Sequence, residues 1–159
     1  MPTIHLAVDS PLDYLATKRV LYRMGARVFE SGDHSTELSA MVGSLEVVKR
    51  VTIATGSIEE STRPAPGCVL PFRLRAAEGS AWYPAFEGAL VIVPKPGAAI
   101  TISLQGRYHP PGGVAGQIAD SIAMHSLAEK ALVGLLERVA EHLRQAVATA
   151  DDLIGHPYS

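Results

Sequence analysis

The chain has 159 residues, of which 47% are hydrophobic and 19% charged, with a formal net charge of −2. That length describes one domain, residues 1–159, able to bury roughly two-thirds of its unfolded surface. The near-neutral charge argues against nucleic acid as a main partner, since no face need be strongly basic. The lone cysteine, Cys68, excludes an internal disulfide and suits a reducing compartment.

Residues Met1 to Ser10 have no basic leader, and Asp9 interrupts the place where an apolar signal segment would continue. No apolar run approaches the roughly 20 residues that span a bilayer. The expectation is a cytoplasmic protein with no membrane insertion. Thr3 to Val8 alternates weakly and reads as a first strand. Ser10-Pro11 offers a cap with proline at the first helical position, and Leu12, Leu15, Ala16, Arg19 and Val20 follow at helical spacing. This predicts a helix to about Met24, stopped by Gly25. Ala26 to Glu30 reads as a short strand, Ser31 to Ser35 as a polar loop, and Glu37 to Ser44 is ambiguous.

The middle of the chain is β in character. Glu46 to Gly56, Cys68 to Ala77, Trp82 to Val93 and Ala99 to His109 read as strands of about ten residues. Between them lie turns through Glu59-Glu60-Ser61, Arg63 to Gly67, Glu78-Gly79-Ser80 and Pro94 to Gly97, so an antiparallel meander is expected. Alternation puts Cys68, Leu70, Phe72 and Leu74 on one face, with Arg73 and Arg75 on the other. Phe86, Gly88, Leu90 and Ile92 share a face, as do Ile100, Ile102, Leu104, Gly106 and Tyr108. Gly106 in mid-strand suggests a bulge or a strong curl.

After a Pro-Pro-Gly-Gly break at Pro110 to Gly113, residues Val114 to Ala150 contain no proline and read as one helix, roughly 50 Å long. Its seam runs Ile118, Ile122, His125, Glu129, Leu132, Leu136, Val139, Leu143, in steps of four and three. From Leu132 onward the seam is uninterrupted apolar core. His125 and Glu129, one turn apart, break the preceding half and can interact with each other. Such a helix needs an apolar sheet to lie on, and the polar interruption points to a cavity toward one end.

The segment Gly106-Arg107-Tyr108-His109-Pro110-Pro111-Gly112-Gly113, followed by Gly116, Ile118 and Asp120, resembles the helix-grip superfamily. That group includes START-related lipid-transfer proteins, polyketide cyclases and dehydrases, and birch-pollen-allergen-like proteins (SRPBCC). The motif-level likeness covers about Ser103 to Leu136, and the order of elements extends it along nearly the whole chain. The resemblance implies an α+β fold in which a curved antiparallel sheet wraps a long C-terminal helix, with a hydrophobic pocket between them. The pocket lining it implies is Phe72, Leu74, Phe86, Leu90, Ile102, Leu104, Tyr108, Ile122, His125 and Glu129, each aliphatic or aromatic member being equally readable as plain core. Trp82 and Tyr83 would rim the entrance or cap the core. No shared catalytic residues come with the fold, and fold alone does not license an activity.

Other chemistries find less support. His125 and Glu129 supply two ligands where zinc needs three or four, so no metal is expected. Cys68 in an apolar strand reads as a small buried hydrophobe rather than a nucleophile. The glycines at 112, 113 and 116 lack the lysine and the strand-helix setting of a phosphate loop, and no cofactor is implied. Three readings remain. The first is binding of a lipid- or polyketide-like molecule, as carrier or sensor. The second is a cyclase or dehydrase using His125 and Glu129 as an acid–base pair. The third is an interaction or co-chaperone-like module, or a homodimer formed through an open sheet edge.

Overall fold

A computed structural model describes the backbone of residues 3–30, 35–42, 45–62, 66–76, 85–97, 99–109 and 118–155. Side chains are described for 3–30, 50–62, 66–75, 85–97, 99–108 and 128–150. Strand β1 (Thr3–Ser10) leads to helix α1 (Tyr14–Met24) and a 3₁₀ turn (Gly25–Val28). Then come β2 (Ser35–Val42), β3 (Leu45–Thr55), β4 (Glu59–Ser61), β5 (Gly67–Ala76), β6 (Ala85–Lys95), β7 (Ala99–His109) and helix α2 (Ile118–Gly155).

The strands form one antiparallel sheet in the order β1-β7-β6-β5-β3-β2, with β4 paired to β5. From β5 to β7 each strand pairs with the next, as a meander requires, and β1 returns to close on β7. The two edge strands, β1 and β2, both lie against α2. A sheet whose opposite edges touch one helix has to curve around it, and this is the α+β helix-grip arrangement.

Several local expectations change. Helix α1 is capped by Asp13 rather than Ser10, because Ser10 is still paired with Ile100 as the last residue of β1. Asp13 is extended (φ −71°, ψ 135°), and its carboxylate accepts from the Ala16 N–H at 3.0 Å. The Thr17 hydroxyl adds a 2.7 Å bond to the Asp13 carbonyl. Gly25 ends the helix with φ +53°, a conformation glycine adopts without a Cβ clash.

The strand predicted over Ala26 to Glu30 is instead the 3₁₀ turn. Phe29 N–H bonds back to Ala26 at 3.1 Å and Glu30 N–H to Arg27 at 3.2 Å. Its Val28 and Phe29 enter the core without a strand partner, both fully buried. The ambiguous stretch at Glu37 is part of β2, and the turn at Glu59 contains the short strand β4. The break at 110–113, the glycine at 116, and Trp82 and Tyr83 lie outside the described residues.

The two helices dock through different kinds of contact. The C-terminal half of α2 presents Leu132, Leu135, Leu136, Val139, Leu143 and Val147, all buried, as expected from Leu132 onward. Around α1, the Tyr14 hydroxyl lies 3.3 Å from Cys68 Sγ, and Glu60 of β4 accepts from both Lys18 and Tyr22 at 2.8 Å. These contacts latch α1 onto β4 and β5. Cys68 is fully buried, and burial pushes its thiol pKa up, in keeping with a structural rather than a nucleophilic cysteine.

Candidate functional site

The register aligns the inward residues in rows across the sheet. One row runs Tyr108, Phe86, Leu74; the next Ile4, Gly106, Gly88, Phe72, Thr55; the next Leu6, Leu104, Leu90, Leu70; and then Val8, Ile102, Ile92, Cys68. Phe72, Leu74, Phe86, Leu90, Ile102, Leu104 and Tyr108 thus share the concave face, and each is at most 4% exposed. Arg73 and Arg75 are exposed on the convex face, where Arg73 pairs with Glu87 at 3.1 Å.

Gly88 and Gly106 face each other in register, and no bulge interrupts the pairing on either side of them. The alternative to the bulge, a tight curl, is what the glycines serve. A Cβ at Gly106 would strike the Glu87 carbonyl oxygen and lie 2.9 Å from Phe86 Cζ, while one at Gly88 would lie 2.8 Å from Phe86 Cε1. The Phe86 ring therefore lies over the bare backbone of both glycines. It meets Phe72 at a 5.4 Å centroid distance, and Phe72 meets Phe29 at 4.6 Å. Such tilted aromatic pairs form a continuous wall from the sheet to the 3₁₀ turn. Sequence reasoning misses Phe29 as part of this wall. The available clue is Val28-Phe29 directly after a helix-stopping glycine.

Tyr108 carries a polar tip into the inner lining, is only 1% exposed, and burial raises its phenol pKa above the ordinary value. Its phenol is therefore neutral, and the residue takes part in an interaction of its own. The backbone of α2 comes close to β1, β7 and β2, whereas the middle strands β5 and β6 stand farther from it. The space beneath those middle strands is occupied by side chains of the inner rows.

The helical candidates divide. Ile122 and His125 belong to α2, but their side chains lie outside the described residues. Glu129 is exposed and takes part in an interaction of its own. The buried stripe passes through Ala128, Ala131 and Leu135 as well as the predicted seam. Those residues rotate its centre away from Glu129, which lies about 70° off it at 100° per residue. Among the described residues, no three His, Cys, Asp or Glu side chains gather as a metal site would need, and no helix is long and apolar enough to cross a membrane.

No protein-family model matches the chain, and no curated protein does. Solved structures do match. TTHA0849 from Thermus thermophilus is 17% identical, with a TM-score of 0.51, over 91% of this chain and 99% of that one. A conserved protein from Geobacillus kaustophilus is 10% identical, with a TM-score of 0.51, over 91% and 97%. Human STARD10 is 8% identical, with a TM-score of 0.46, over 97% of this chain and 68% of that one. With its edge strands closed on one long helix and its fold shared along nearly the whole chain with these two bacterial structures, this protein has the α+β helix-grip fold.

Proposed function

We propose that the protein binds one apolar small molecule, lipid- or polyketide-like, beneath the middle strands at the Tyr108 end of the sheet, and serves as its carrier or sensor. The observation that carries this reading is the combination of two features. The middle strands stand off from α2, and the described inner residues they present, Phe72, Leu74, Phe86 and Leu90, are apolar, with the buried Tyr108 of β7 beside them. The Phe86 ring lies over the bare backbone of Gly88 and Gly106 beside Tyr108 and gives this end of the inner face a flat aromatic wall. A ligand there would be driven by burial of its apolar surface, about 25 cal/mol per Å², and oriented by one hydroxyl. His125 and Ile122 would approach from the helix. The acid–base alternative requires Glu129 beside His125 inside the pocket, and the exposure of Glu129 favours binding over catalysis.

The test is native mass spectrometry of the full chain with a panel of fatty acids and flat aromatic compounds. A one-to-one complex is expected. Tyr108→Phe should weaken it about tenfold for ligands that carry a polar group, the worth of one hydrogen bond in a dry site, while the fold persists. Absence of a one-to-one complex with every member of the panel would overturn the reading. Turnover abolished by His125→Ala with binding retained would replace it with the acid–base one.

A further inference from the structure

On the far side of α2's C-terminal half lies a second cleft, of about 370 Å³, separate from the inner face of the sheet. It exists because Gly25 turns the chain at the end of α1 and the 3₁₀ turn then crosses α2. There His142 Nδ1 lies 2.8 Å from the Val28 carbonyl oxygen. A carbonyl only accepts, so Nδ1 carries the proton and the ring is fixed as a strut between the turn and the helix. One turn farther along, α2 offers Ala146 and Ala150 where longer side chains would close the gap, and α1 faces them with Val20 and Met24. The floor is therefore apolar.

The rim is cationic. Arg23 and Arg27 stand on it, and among the described residues no aspartate or glutamate lines the cleft. Arg27 Nε and Nη2 donate to the carbonyls of Met24 and Arg23, at 3.4 and 3.0 Å, which holds its guanidinium over the last turn of α1. The Arg23 guanidinium has no partner among the described residues. Of the acids on α2 whose side chains are described, Glu141 is committed to Arg144 and Gln145. An apolar floor below one fixed and one free guanidinium, in a cleft at the lower end of the small-ligand range, describes a receptor for an amphiphilic anion.

We infer that this cleft is a second ligand site that takes a small organic carboxylate, its head on Arg23 and Arg27 and its apolar body on Met24, Ala146 and their neighbours. The site stands independently of the pocket proposed inside the sheet. The test follows amide NMR shifts of the full chain during titration with octanoate, octan-1-ol and inorganic phosphate. Octanoate should shift amides in 20–27 and 142–150. Octan-1-ol and phosphate should do so at least tenfold more weakly, since each lacks one half of the recognition. Arg23→Gln, at an exposed position, should raise the octanoate Kd about tenfold without changing Tm, the loss of one charge-assisted hydrogen bond. Three results would overturn the inference: octanoate shifts confined to β5–β7, shifts unaltered by Arg23→Gln, or phosphate binding as tightly as octanoate. The first would still be compatible with the inner pocket, so the two sites are told apart in one experiment.

Discussion

At the α1 end of the sheet's interior, Cys68, Ile92 and Ile102, all fully buried, share one core with the uninterrupted leucine and valine seam of α2, and Tyr14 of α1 lies against Cys68. At the Tyr108 end the same strands present Phe86, Leu74 and Tyr108 beside two facing glycines. Helix α2 follows that end of β7 in the chain, and its first half is the one whose sequence carries His125 and Glu129. One end is sealed by packing and by a polar latch, while the other is lined with large flat rings and a single hydroxyl. A single sheet and a single helix thus produce a rigid anchor and a candidate receptor. What separates them is where the small and polar residues fall along the same two elements.

The largest expected effect comes from the buried seam and the glycine pair, which shape the two ends. Leu143→Ala opens a cavity in the sealed anchor and should cost about 4 kcal/mol in urea unfolding, within the range for buried leucines. Leu74→Ala, at the receptor end, should cost about 2 kcal/mol, because its loss would extend the proposed pocket rather than create a new cavity. Equal losses at the two sites would mean that both ends are packed alike, and would count against a pocket at the Tyr108 end.

Between these two falls Gly106→Ala, which puts a methyl against the Glu87 carbonyl and the Gly88 backbone, neither of which can swing away as a side chain tip could. The loss should be about 3 kcal/mol, or a fall in Tm of roughly 10 °C for a chain of this size, measured by thermal unfolding. A variant with unchanged Tm would show that the curl does not depend on the bare backbone there. A smaller effect is expected for Asp13→Ala, about 1 kcal/mol, since only the cap of α1 is lost.

Much of this contrast is legible in the sequence. Strict alternation locates β7 from Ala99 to His109 and assigns its inward face, because one buried face forces a period of two. The spacing of Leu132, Leu136, Val139 and Leu143 likewise marks the anchor. What escapes are facts that depend on partners distant in the chain. Ser10-Pro11 is a good helix start in isolation, but pairing with Ile100 keeps Ser10 in the sheet and passes the cap to Asp13. Gly106 stands out as unusual, yet its opposition to Gly88 is a matter of register, which no single strand reveals. Spacing alone places Glu129 on the seam, and the alanines that share the buried stripe move it to the edge.

The smallest effect probes the latch that seals the anchor. Glu60 is exposed, and its hydrogen bonds, first from Lys18 and then from Tyr22, hold its carboxyl pKa below the ordinary value near 4.5. A carboxyl whose pKa is lowered on folding stabilises the fold above its unfolded pKa. That contribution is lost as pH falls from about 4.5 through the lowered folded value, where Glu60 takes up a proton and releases Lys18. Hydrogen exchange of the α1 amides should therefore quicken, relative to the α2 core, as pH is lowered through this window, after correction for the intrinsic rate. Glu60→Gln should make α1 exchange quickly already at pH 7 and remove the acid dependence, while amides around Leu136 and Val139 stay protected. If α1 and the α2 core lose protection together in that variant, α1 is not a separately latched element and the sealed end opens only with the whole domain.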